Sequence, residues 1–121
     1  MFNKEEFRRL CQEHKMLDLE AYWDFDRVWK AMLDLICKDE DTFNDFIEYM
    51  KIEMTNYEYV ILSAISDEIA EIYPSMEFIE AYKSLALKYP EETKNYQIDN
   101  FIRDAENCVK YSLKESKKKN K

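Results

Sequence analysis

Apolar residues recur at three- and four-residue intervals along almost the whole chain, a pattern that predicts helices rather than strands. Phe7, Leu10, Cys11 and Leu17 give a short first helix, opened by Asn3 and Glu6 at capping-box spacing. Residues 16–24 read as a turn with an aromatic cluster, Tyr22, Trp23 and Phe25, and either Asp24 or Asp26 can cap the second helix. That helix carries Phe25, Val28, Trp29, Met32, Leu33 and Ile36 at i, i+3, i+4, i+7, i+8 and i+11. The run Lys38-Asp39-Glu40-Asp41 ends it. Asp41 is then placed to cap a third helix with Phe43, Phe46, Ile47, Met50 and Met54 on one face.

Thr55 and Glu58 form a second capping box and open the most apolar helix, Asn56 to Tyr73. Apolar residues cover most of its circumference, so it should be packed on several sides. Its β-branched first half could pass for a strand, but the capping box and the continuation Asp67-Glu68-Ile69-Ala70-Glu71 favour helix. Pro74 breaks the chain and Ser75 caps a fifth helix with Phe78, Ile79, Tyr82, Leu85, Ala86 and Tyr89 inward. Pro90 stops it, because the residue before proline is pushed out of the helical region. Glu91 to Tyr96 can form one helical turn, and a last helix from Ile98 to Leu113 turns Phe101, Ile102, Ala105, Cys108 and Val109 inward. The expectation is one all-α domain over residues 1–113, with five to six helices. Mostly antiparallel neighbours surround a central helix at 56–73. A disordered lysine-rich tail, 114–121, closes the chain.

Composition sharpens this picture. At 121 residues the chain suits one domain. It has no glycine and only two prolines. Phosphate-cradling loops, dinucleotide fingerprints and nucleophile elbows all need glycine where backbone meets ligand or turns at positive φ, so those classes are excluded. The three cysteines, Cys11, Cys37 and Cys108, form no close pair, and free buried thiols in a reducing compartment are expected. The first ten residues hold Lys4, Glu5, Glu6, Arg8 and Arg9 and no apolar core, so no signal peptide is read there. The longest uncharged run, Tyr59 to Ser66, is far short of the roughly 20 residues of a membrane span. The expected compartment is the cytoplasm.

Net charge is −8, but it is unevenly spread. Between Asp34 and Glu80 there are 13 carboxylates against only Lys38 and Lys51. Such a body repels phosphates, so neither nucleic acid nor an anionic membrane is an expected partner, and it attracts basic proteins. His14 is the only histidine and no metal-ligand spacing occurs, so no metal or cofactor is expected. Cys11 and His14 lie at i, i+3 and could touch, yet no third group orients them. Carboxylates abound at Asp39-Glu40-Asp41, Asp67-Glu68 with Glu71, and Glu91-Glu92, without any sign that one is desolvated and its neighbour kept ionised. No catalytic residue is therefore assigned. Asp41, Asp45 and Glu48 fall at i, i+4 and i+7, opposite the apolar face of the third helix, and Asp67, Glu68 and Glu71 share a stretch of the fourth. Like charges at this spacing cost helix stability. These six residues are the candidate surface for a basic partner. Tyrosines at 49, 57, 59 and 73 are hard to bury all at once and suit an interface.

The segment Leu62 to Ala105 contains Leu62-Ser63, Asp67-Glu68-Ile69, Ser75, Glu77-Phe78-Ile79, Leu85-Ala86, Lys88-Tyr89-Pro90-Glu91-Glu92-Thr93, Ile98, Phe101-Ile102 and Ala105. It resembles the small helical immunity proteins of bacterial contact-dependent growth inhibition and related polymorphic toxin systems. The resemblance implies a cytosolic, non-enzymatic toxin inhibitor, and one that blocks a nuclease would meet a basic, phosphate-binding cleft. An acidic nucleic-acid mimic from a phage or mobile element, inhibiting a DNA-handling enzyme, is the alternative reading. A helical adaptor for a basic partner is a third.

Overall fold

The computed structural model describes residues 2–17 and 22–119, and the side chains of all of these except 22–24 and 116–119. Among the described residues there are seven helices and no strand: α1 (Lys4–Met16), α2 (Tyr22–Ile36), α3 (Glu40–Ile52), α4 (Asn56–Ile72), α5 (Met76–Lys88), α6 (Pro90–Asn95) and α7 (Ile98–Lys119). The expected all-α architecture holds, with one short helix more than the upper count.

Side-chain caps set most of the boundaries. The Thr55 hydroxyl accepts from the Glu58 amide at 3.3 Å while Glu58 Oε1 accepts from the Thr55 amide at 2.9 Å, completing the capping box of α4. Ser75 caps α5 by accepting from the Phe78 amide. Asn3 accepts from the Glu6 amide at 3.1 Å, but the Glu6 carboxylate turns to Arg9, so only half of that box forms. The cap of α3 is Asp39 rather than Asp41: its carboxylate accepts from the Thr42 amide at 2.7 Å, and Asp41 sits inside the first turn. Helix α2 likewise begins at Tyr22, ahead of both aspartates proposed to cap it. An acidic residue in a first turn is favoured by the helix dipole much as one at the cap is, so Asp24 does not mark the boundary. The side chains of Tyr22, Trp23 and Asp24, and all of residues 18–21, lie outside the described residues, and with them most of the expected aromatic cluster.

Pro90 ends α5 and also starts α6, as its first helical residue, where its missing N–H costs nothing. The turn from α6 to α7 passes through Gln97 at φ 53°, the single positive φ among the described residues. Helix α7 continues to Lys119, through most of the segment whose polarity predicts a disordered tail. Lysine and glutamate are good helix formers, and no glycine or proline stops them.

Helix α4 is central. It packs on α1, α2, α6 and α7, and its side chains also reach α3 through Glu58 and Tyr49 and α5 through Ser66 and Tyr82. Its largest interface is with α7. Residues on the two helices meet in ascending order, Asp99 acting on Tyr59, Asp104 on Asp67, and Glu71 on Cys108, so this sequence-distant pair runs in the same direction. Side chains link α3 to the two ends of α4 in opposite order, Tyr49 bonding Glu58 and Phe43 stacking on Tyr73 with centroids 4.9 Å apart, so these two helices run antiparallel, while the main packing of α3 is on α5. The core stripe of α7 is Ile98, Ile102, Ala105 and Val109. Phe101, expected inward, is 37% exposed, and Cys108 is half-buried. Both flank the stripe rather than forming it. Tyr49 and Tyr59 are buried, whereas Tyr57 and Tyr73 are half-buried.

Candidate docking surface

All six candidate carboxylates are exposed. On α3, burial of Thr42, Phe43, Phe46, Ile47, Tyr49 and Met50 forces Asp41, Asp45 and Glu48 onto the opposite face. Glu48 is partly neutralised by Lys51 at 3.5 Å. On α4, the core takes Ile61, Leu62, Ile65, Ile69 and Ala70, leaving Asp67, Glu68 and Glu71 outward. Helix α3 packs chiefly on α5, and the charges acting on Asp67 come from Asp104, Glu68 and Glu71.

Asp104 of α7 is the member that sequence reading missed. It lies 37 residues from Asp67 in the chain and joins the group only because α7 runs beside α4. Partial burial, and after it repulsion from Asp104, Glu68 and Glu71, pushes the Asp67 carboxyl above its usual value. No ion pair offsets this ridge among the described residues. Several acids elsewhere do find cations. Glu13 bonds Arg9 and Arg27, Glu53 bonds Lys4, and Glu106, on the other flank of α7, takes Lys83 at 2.7 Å and Lys110 at 3.7 Å. The four carboxylates of the α4–α7 ridge are therefore the largest uncompensated charge on these two helices.

The same outward stripe of α4 carries Tyr57, Val60 and Ala64 before it reaches Asp67, Glu68 and Glu71. Positions 57, 60, 64, 68 and 71 keep the three- and four-residue spacing of one helix face. Tyr57, Val60, Ile61 and Ala64 line an open trough of about 360 Å³ whose other wall is His14, Phe25 and Trp29. Phe25 packs edge-on to His14 with centroids 5.0 Å apart, and Trp29 lies 5.8 Å from Phe25. The polar tips in the trough are the Tyr57 hydroxyl and the His14 ring, 3.5 Å apart. Burial lowers the His14 pKa below its usual value, so the ring is neutral at pH 7. The apolar pattern marked each wall as helix face. It could not show that three faces leave a gap between them.

The chemistry of the remaining candidates is plain. Cys11 is buried, and burial, with the Glu58 charge second, pushes its thiol up to about 12, so it is a thiol and not a thiolate at neutral pH. Cys37 and Cys108 are half-buried, and no disulfide links the three. No group of three or more His, Cys, Asp or Glu among the described residues could hold a metal ion. Among the same residues no helix is long and apolar enough to cross a membrane. No family model matches the chain, and comparisons with curated proteins and with solved structures return no match.

Proposed function

We propose that this protein is an inhibitor that binds a basic protein partner, the cognate toxin domain of a bacterial toxin system, and that the toxin is a nuclease. The observation that carries the reading is the ridge of Asp67, Glu68, Glu71 and Asp104, where four carboxylates from two helices crowd together and repel one another with no ion pair among the described residues. Repulsion within the ridge is relieved when cations arrive from outside. Its field steers a basic partner into encounter. A nuclease cleft, built to hold phosphates, presents the matching charge. The resemblance of Leu62–Ala105 to helical immunity proteins supplies the toxin.

The test is capture of partners from the source lysate on the tagged protein, washed at low and at high salt, with mass spectrometry of what is retained. A basic toxin fragment lost at high salt is the expected result. Neutral isosteres at Asp67, Glu68 and Glu71 should weaken capture at least tenfold, and the same change at Asp41, Asp45 and Glu48 much less. Capture of a host DNA-handling enzyme would replace this reading with the nucleic-acid mimic. Capture unaffected by both triplets would exclude the acidic surface.

A further inference from the structure

We infer that the trough between α1, α2 and α4 seats the apolar face of an amphipathic, lysine- or arginine-bearing helix of the partner, with the α4–α7 carboxylates holding its basic flank. This rests on the proposal that the partner is a basic protein. It adds where that partner lands and what its contacting segment looks like.

Three observations argue for this occupant. The trough walls are apolar over Phe25, Trp29, Val60 and Ala64, so they reward aliphatic or aromatic side chains and give a free anion or sugar little to bond. The stripe from Val60 to Glu68 covers nine residues of α4, eight steps or about 12 Å at 1.5 Å per residue. That is about two turns of a helix laid alongside, enough for anchors at i, i+3/i+4 and i+7. At the end of the stripe stand Asp67, Glu68, Glu71 and Asp104, which demand cations on the segment next to the anchors.

Other occupants fit less well. A second copy of this chain would bring its own net −8 against the ridge, and its lysine-rich end, Lys114–Lys121, has no apolar residue to fill the trough. The chain's own lysine-rich end has no apolar residue from Lys114 onward to fill the trough. Helix α7 also carries that end away from it, since Cys108 is already beside Glu71 at the far end of α4.

The test uses the full chain, labelled with ¹⁵N, and two synthetic 16-residue helical peptides. Both share one leucine and phenylalanine stripe; one has lysine flanks and the other glutamate flanks. The lysine peptide is expected to bind, with shifts concentrated at Val60, Ala64, Asp67 and the Trp29 indole. The glutamate peptide should bind at least tenfold more weakly at low salt. Ala64→Gln places an uncharged, helix-compatible side chain in the trough and should weaken the lysine peptide at least tenfold, with an unchanged circular dichroism spectrum. Three results would each overturn the inference: equal binding of the two peptides, no binding at millimolar concentration, or shifts centred away from α2 and α4. Nuclear Overhauser contacts in the free protein between residues 18–24 and the Trp29 ring would do so as well, because the trough would then be filled from within. The parent proposal fails separately. If lysate capture of a basic toxin survives Ala64→Gln but is lost without the α4 carboxylates, the partner stands and the trough does not. If the peptide binds while no basic protein is captured, the trough stands and the toxin does not.

Discussion

Glu58 shows how much a single residue can conceal. Its spacing from Thr55 announces a cap, and the cap forms. Nothing in that spacing hints that the same carboxylate is buried at 5% exposure. It survives there because the Tyr49 hydroxyl donates to it at 2.8 Å and in turn accepts from Arg8 Nε at 3.1 Å. Hydrogen bonds to a buried charge are the strong kind. Tyr49→Phe removes the donor and leaves the carboxylate short of a partner, so it should destabilise the protein by about 1.5–3 kcal/mol in urea titration. The cysteines invite a second check at this scale. Burial pushes Cys11 up to about 12 and Cys37 up to about 11, and raises Cys108 less far. The thiolate is the species that attacks a disulfide reagent and displaces its leaving thiolate, so Cys108 should react first, Cys37 more slowly and Cys11 only on unfolding, each site tracked by mass spectrometry.

Helices themselves were easy to read and their ends were not. Periodicity located the six longer helices, because the spacing of apolar residues records burial directly, whereas the turn after Pro90 carries no apolar stripe and was expected only as a possibility. Boundaries depend on which of several capable residues does the capping. Asp39 and Asp41 are chemically equivalent candidates, and only the extended backbone at Asp39 decides between them. Asp39→Ala should therefore lower stability by about 1 kcal/mol, while Asp41→Ala should change it by no more than a few tenths. The α4–α7 ridge belongs to this scale too. Three of its four carboxylates come from the outward face of α4, but Asp104 depends on a pairing across 37 residues that no local pattern encodes. The raised Asp67 pKa has a definite sign. The folded state holds that proton more tightly than the unfolded chain does, so Asp67 favours folding on the acid side, and the advantage is lost as pH rises through the folded value. At pH 7 the ionised group opposes folding. Asp67→Asn is expected to be neutral or to stabilise by about 0.2–0.5 kcal/mol, with the gain shrinking in added salt. A clear loss of stability would mean that the carboxylate has a cationic partner after all.

At the scale of the molecule, the central place of α4 was legible because its apolar residues wrap most of its circumference, and neighbours do cover it on several sides. What was not legible is which neighbour matters most. Short connections join consecutive helices, but the packing of α3 on α5 skips one helix and the parallel α4–α7 pair skips two, and the trough beside α4 exists only because three faces fail to meet. That pairing bears on how the chain is made. At roughly 5–20 residues per second, several seconds of synthesis separate the end of α4 from the end of α7. During that time the most apolar helix of the protein waits on the ribosome without its principal cover. A nascent chain in that condition is a client for chaperones, and one ending at Gln97 would stay in it. Such a truncated product should be recovered in the insoluble fraction or lost to proteolysis, and α7 supplied as a separate peptide during refolding should bring it back into solution.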